Sequence, residues 1–199
     1  MLGSTSFFAI LLALSYFFNT AQGMWWKKKT SKVMGYATVS EADARRINQD
    51  NKLFPKEPTT GFDVQLGHGF YILQGPENWP NAEEGNWYCA ITAKTKEMRD
   101  LSKVYIPSTY WSEDEEFILS YVRALVNKPD EALRISWVRA GAQLQMLIPS
   151  KVIAEDTALK LRAKCFETEN QLKEYSDKFI DWQKKRGWTI HGELGRPSF

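Results

Sequence analysis

The chain has 199 residues, 43% hydrophobic and 14% aromatic, with a formal net charge of +2. That length suits one domain, and near-neutral charge gives no case for nucleic acid as a partner. Two histidines and two cysteines supply no zinc spacing, so no metal site is expected.

Residues 1–23 read as a secretory signal peptide. Phe7 to Phe18 is almost wholly apolar and short for a bilayer span. Ala21-Gln22-Gly23 offers small residues for cleavage. The n-region lacks Lys and Arg, and the alternative is an uncleaved anchor flanked by Trp25, Trp26 and lysines. Residues 24–199 then form one extracellular domain, expected as a monomer without integral membrane association. Lys27, Lys28, Lys29 and Lys32 form one basic run. It is read as a solvated tail or, more sharply, as a weak attractor of an anionic surface.

A first helix starts after Ser40, where Ser40 and Asp43 resemble a capping box. Ala42, Ala44 and Ile47 form its inner side, and Leu53-Phe54-Pro55 ends the unit. Leu66-Gly67-His68-Gly69 leads into an apolar strand at Phe70–Leu73. Gly75-Pro76, Trp79-Pro80 and Gly85 mark a loop. Trp87, Cys89, Ile91 and Ala93 alternate as a half-buried strand does. Lys103–Pro107 is another short strand. Ser112 with Glu115 forms a second capping box, and Phe117, Ile118, Tyr121, Val122 and Leu125 recur at helical spacing. Leu133–Val138 and Leu144–Ile148 read as strands joined through Ala140-Gly141. Leu159, Leu161, Ala163 and Cys165 alternate in a last strand. Thr168 caps a final polar helix predicted to stop near Gly187.

Helices and strands mix without regular alternation, which predicts an α+β fold with antiparallel or mixed sheets. In a secreted chain the even pair Cys89 and Cys165 argues for one disulfide. It would close a loop of about 77 residues, worth ~4 kcal/mol in the chain-entropy model. Two buried free thiols are the alternative. Trp79, Trp87, Tyr110 and Trp111 are a candidate exposed partner patch, against the tendency of tryptophan to be core. Glu155 and Asp156 read as solvated cap or loop charges, and His191 as part of a polar tail.

Three segments in order resemble the ADP-ribosyltransferase superfamily. Gly35-Tyr36-Ala37-Thr38, with Ser40–Ile47 and Leu53-Phe54-Pro55, is similar to the opening strand and helix of enterotoxin-type and poly(ADP-ribose) polymerase-type members. Leu66-Gly67-His68-Gly69-Phe70-Tyr71 with Tyr88-Cys89 resembles the Gly-x-Gly-x-Tyr strand and downstream Asn-Tyr-Cys of the polymerase branch. Gln143-Leu144-Gln145-Met146-Leu147-Ile148-Pro149 is similar to the Glu-x-Glu-Val-Leu-Ile-Pro strand of arginine-specific members. The resemblance implies a split β-sandwich of two small mixed or antiparallel sheets flanked by helices, with NAD in the cleft between them. It implies cofactor contacts at Tyr36, His68, Gly69, Tyr71 and Tyr88, and places Gln145 at the catalytic glutamate position.

The departures fall on the charged positions. Tyr36 stands where the family has Arg or His, and Gln143 and Gln145 where it has glutamates. Glutamine can orient a ribose hydroxyl, but it cannot steady a developing sugar cation as a carboxylate does. The implied function is a secreted, catalytically impaired, toxin- or effector-type protein that binds a protein partner. Two alternatives stand beside it. One is an active, divergent mono-ADP-ribosyltransferase that moves ADP-ribose from NAD to a protein. The other is a secreted binding module unrelated to NAD.

Overall fold

Ser40 is where the first strand turns into the first helix. Its hydroxyl accepts the Asp43 N–H at 3.2 Å, satisfying one of the orphan donors of a first helical turn. Before it, Ser31–Val39 forms β1, and after it Glu41–Asp50 forms α1, with Ala44 and Ile47 buried. The structure is a computed structural model that describes residues 31–55, 64–77, 84–139, 143–155 and 159–197. The signal-peptide reading, the Lys27–Lys29 run, Trp79, the Ala140-Gly141 turn and Asp156 lie outside these residues.

The other strands are β2 (Gly69–Leu73), β3 (Trp87–Lys94), β4 (Lys103–Tyr105), β5 (Leu133–Trp137), β6 (Leu144–Pro149), β7 (Arg162–Phe166) and β8 (Ile190–His191). The other helices are α2 (Thr95–Asp100), α3 (Glu115–Leu125), α4 (Ser150–Ala154) and α5 (Glu169–Tyr175). The strands form one mixed sheet of eight in the order β7-β3-β1-β2-β6-β5-β4-β8. Among the described strands only β4 pairs in parallel, with β5 and β8.

The expected α+β class is therefore observed, while the expected pair of separate sheets is corrected. β1 pairs with β3 from Ser31 to Val39, and β2 pairs with β6 along its whole length. Between β1 and β2 a single pair, Tyr36↔Leu73, joins the two halves. Gly35 permits that approach, because a Cβ there would stand 2.8 Å from the Leu73 carbonyl oxygen.

Cys89 and Cys165 face each other across β3 and β7 and form a disulfide. Asn48 of α1 covers the β7 edge beside it. Its amide donates to the Cys165 carbonyl at 2.9 Å and accepts the Cys165 N–H at 2.8 Å, as a neighbouring strand would.

Three sequence expectations change. The cap of α3 is Asp114, which accepts the Phe117 N–H at 2.7 Å. Ser112 lies outside the helix with φ 61, and its hydroxyl accepts from Arg139 at 2.9 Å. Trp111 is buried with its indole N–H on the Ile106 carbonyl, and Trp87 sits under Arg45, so these tryptophans form no common surface patch. The final helix stops at Tyr175 rather than near Gly187, because the segment after it gives its polar groups to the sheet. The Tyr36 hydroxyl donates to the Lys178 carbonyl at 2.8 Å and bonds the Ser176 hydroxyl at 2.7 Å. Ile180 N–H donates to the Gln74 carbonyl at 2.8 Å, the Gln74 amide donates back at 3.2 Å, and the Trp182 indole donates to Met34 O at 2.7 Å.

β4 buries a lysine. Lys103 Nζ donates to the Leu101 and Arg99 carbonyls at the end of α2, at 2.6 and 3.2 Å, and lies 4.6 Å from the Trp188 ring centroid. Burial pulls its pKa from 10.5 down to about 8, against the opposing pull of Asp100. Between those two values the unfolded chain holds more protons than the folded one, so folding stability rises with pH. Lys185, also lowered chiefly by burial, adds to that rise. Burial raises Tyr36, Tyr105 and Tyr121 above 10.0, so stability falls again once pH passes that value. The expected melting temperature climbs from about pH 8 to about pH 10 and then declines. Lys103→Met should remove most of the climb and leave the decline; a wild-type profile flat across that range would contradict it.

Candidate functional site

Residues directly opposite in an antiparallel ladder share a face of the sheet. Tyr36 opposes Leu73, Leu73 opposes Gln145, and Gln145 opposes Ser136. One row thus runs through β1, β2, β6 and β5. Tyr71 and Gly69 lie two and four residues from Leu73 along β2 and share its face. Tyr88 lies two residues from Ala90, the partner of Tyr36 on β3, and shares it also. The fold therefore brings Tyr36, Gly69, Tyr71, Tyr88 and Gln145 onto one side of four neighbouring strands. His68 precedes β2; its backbone N–H donates to Glu115 at 3.0 Å, and no hydrogen bond of its imidazole occurs among the described residues.

On that face the polar groups are turned inward. The buried Tyr36 hydroxyl is spent on Ser176 and Lys178. Burial raises its pKa, while those two bonds act to lower it. The Tyr71 hydroxyl accepts the Leu66 N–H at 2.8 Å and donates to the Gly67 carbonyl at 2.9 Å, bracing the loop that enters its own strand. Gln145, 3% exposed, donates its amide to the Trp137 carbonyl at 3.3 Å and the Ser136 hydroxyl at 3.4 Å. Gln65 donates to the same two acceptors at 2.8 and 3.0 Å and accepts the Arg139 N–H at 3.1 Å. Ser136 gives its own proton to the Trp137 carbonyl at 2.9 Å. That carbonyl thus faces three donors, an arrangement built for an amide rather than a carboxylate.

The glycine-histidine-glycine block has a packing explanation. Arg134 of β5, with its side chain 1% exposed, grips Glu115 of α3 at 2.6 and 3.1 Å and donates to the Leu66 carbonyl at 2.8 Å. Its Nε is buried without a partner among the described residues. Gly67 has φ +93, and a Cβ there would land on both Glu115 and Arg134. A side chain is excluded by backbone conformation and by the Arg134–Glu115 ion pair together. At Gly69 a Cβ would collide with the Ile148 carbonyl across the β2–β6 ladder.

Tyr36 and Tyr88 also line a surface crevice with Thr38, Leu73, Glu77 and Leu172, enclosing about 180 Å³ that includes open solvent. That is below the ~300 Å³ at which drug-sized ligand pockets begin, and a dinucleotide is larger still. Tyr71, Gly69, His68 and Gln145 do not line it.

Sequence reasoning missed Gln65, Gln74, Ser136, Arg134 and Glu115 as partners of this face. Their only sequence signal is polar side chains bordering or interrupting apolar strands, which names no partner. The outcome is an α+β protein whose sheet carries a polar row closed from within. Residues 64–193 match a family of unknown function, DUF5910, and the chain belongs to that family. The match takes in β2 through β8 and leaves β1 and α1 outside it. No curated protein matches the chain.

Two substitutions check this geometry. Gln145→Glu would set a carboxylate against the Trp137 carbonyl, and is expected to cost about 2–4 kcal/mol of unfolding free energy at neutral pH. The effect should shrink as acid protonates the new group, whereas Gln145→Met should show no such pH dependence. Gly67→Ala is expected to cost at least ~2 kcal/mol, read by denaturant midpoint; an unchanged midpoint would refute the close packing on the ion pair.

Proposed function

We propose that the chain is a secreted, catalytically silent relative of the ADP-ribosyltransferases that acts by binding a protein partner. Support for the kinship is the register. The three segments that carry the resemblance are adjacent strands, β1, β2 and β6, and Tyr36, Tyr71 and Gln145 fall on one face of them. The disulfide suits an oxidising compartment, and the apolar Phe7–Phe18 stretch suits export.

One observation carries the silent half of the reading: the groups that would serve NAD already serve the fold. In a transferase the carboxylate must stabilise an oxocarbenium-like sugar as nicotinamide leaves. Gln145 brings no charge, and its donors are engaged with Ser136 and Trp137. Turnover through Tyr36 would first need its bonds to Ser176 and Lys178 broken.

The test is nicotinamide release from labelled NAD, with and without acceptor proteins, alongside melting with and without NAD. The expected result is no release and no NAD-dependent shift. Release that vanishes in Tyr71→Phe and Gln145→Ala would establish an active enzyme instead. A melting shift without release would retain the kinship but show that NAD still enters.

A further inference from the structure

The end of the sheet where β1 begins gathers cations from distant parts of the chain. Trp182, fully buried, is bonded to Met34 O at 2.7 Å, which pins the turn after it beside the start of β1. That turn carries Lys184, Lys185 and Arg186. Gly187 follows with φ +78, packed so closely that a Cβ would stand 2.7 Å from Arg99 Cδ. Lys32 is exposed near the start of β1, and Ser31 pairs with Lys94, two residues before Lys96 of α2.

Among the described residues, the carboxylates of the 181–187 turn, Asp181, and of α2, Glu97 and Asp100, are each beside a cation. Asp181 holds Lys184 at 3.0 Å, Glu97 holds Lys94 at 3.6 Å, and Asp100 lies 3.6 Å from Arg99. Lys32, Lys96, Lys185 and Arg186 form no ion pair among the described residues. Lys32 lies close enough to Lys185 to add to the effect of burial in lowering that lysine's pKa, with Asp181 opposing. Like charges held together cost free energy, and an anion lying across them would relieve it.

We propose that this end of the domain is a docking surface for anionic lipid headgroups. Two features favour lipid over another polyanion. In sequence, Trp25, Trp26, Lys27, Lys28 and Lys29 run up to Lys32, and tryptophan and lysine are the residues that settle at a membrane interface and an anionic leaflet. The exposed large aromatics Phe117, Tyr175 and Phe179 lie outside the 182–188 turn, β1 and α2. No stacking platform of the kind single-stranded nucleic acid uses therefore accompanies the cations among the described residues. This surface lies apart from the Tyr36–Gln145 row and does not depend on the reading of that row.

The test is co-sedimentation of purified residues 24–199, the chain after signal removal, with phosphatidylcholine vesicles, with and without about one third phosphatidylserine. Binding is expected only with the anionic lipid and should weaken as salt rises. Joint Lys32→Glu, Lys185→Glu and Arg186→Glu should lower affinity at least ~100-fold with the melting temperature retained. The same charge reversal at Lys164, Lys173 and Lys178, around Tyr175, should cost less than about tenfold. Equal binding to both vesicle types, equal loss in the two triple variants, or binding to heparin or single-stranded DNA but to neither vesicle would each overturn the proposal.

Discussion

The two halves of the sheet meet at one ladder pair, Tyr36↔Leu73, and the rest of the structure depends on how that seam is held. A single pair cannot fix two sheets against each other. The segment from Ser176 to Trp182 does so from outside the ladder, by bonds to Tyr36, Gln74 and Met34. Ile180 and Trp182 are buried members of the main core. Burying side chains of this kind contributes about 1.5–3 kcal/mol each, and each hydrogen bond about 1 kcal/mol net. Against a total stability of about 5–15 kcal/mol, displacing the segment would cost much of the fold. It is therefore a wall of the domain and not a lid over it.

The polar groups of the sheet face follow from the same closure. Once the face is covered, every polar group on it needs a partner from within. Gln65, Gln74 and Gln145 meet that need as neutral amides, which can donate and accept without the desolvation cost of a charge. The exception is Arg134 with Glu115. Arg134 is buried and Glu115 half-buried, so removing Glu115 would leave an uncompensated buried charge. That makes Gly67, the residue whose missing side chain gives the pair room, as constrained as the charges themselves.

These two facts bear on the polar row of the sheet. Strand order and register place Tyr36, Tyr71 and Gln145 on one face of neighbouring strands, and the hydrogen bonds of all three are spent within the fold. The basic end at Lys32, Lys185 and Arg186 is under no such internal demand. Lys32 and Arg186 are exposed, Lys185 is half-buried, and none of the three forms an ion pair among the described residues, so this end can meet something outside the molecule.

Much of this was legible in the residues. The α+β class, the α1 cap at Ser40, the strands at β2, β3, β5, β6 and β7, and the Cys89–Cys165 bond follow from periodicity, capping chemistry and cysteine arithmetic, all local signals. The single linked sheet, the end of α5 at Tyr175 and the true cap of α3 at Asp114 were not, and neither were the partners of the site residues. Tyr36 and Ser176 are 140 positions apart, and Gln65 and Ser136 are 71 apart. No short-range pattern encodes such pairings, because they exist only after the strands are laid side by side. The sequence by itself thus determined which segments become strands, where α1 is capped and which cysteines pair. Only the tertiary structure decided that the polar groups of Tyr36, Tyr71 and Gln145 are engaged from within, because Tyr36 and Gln145 bond residues that meet them only in the folded chain.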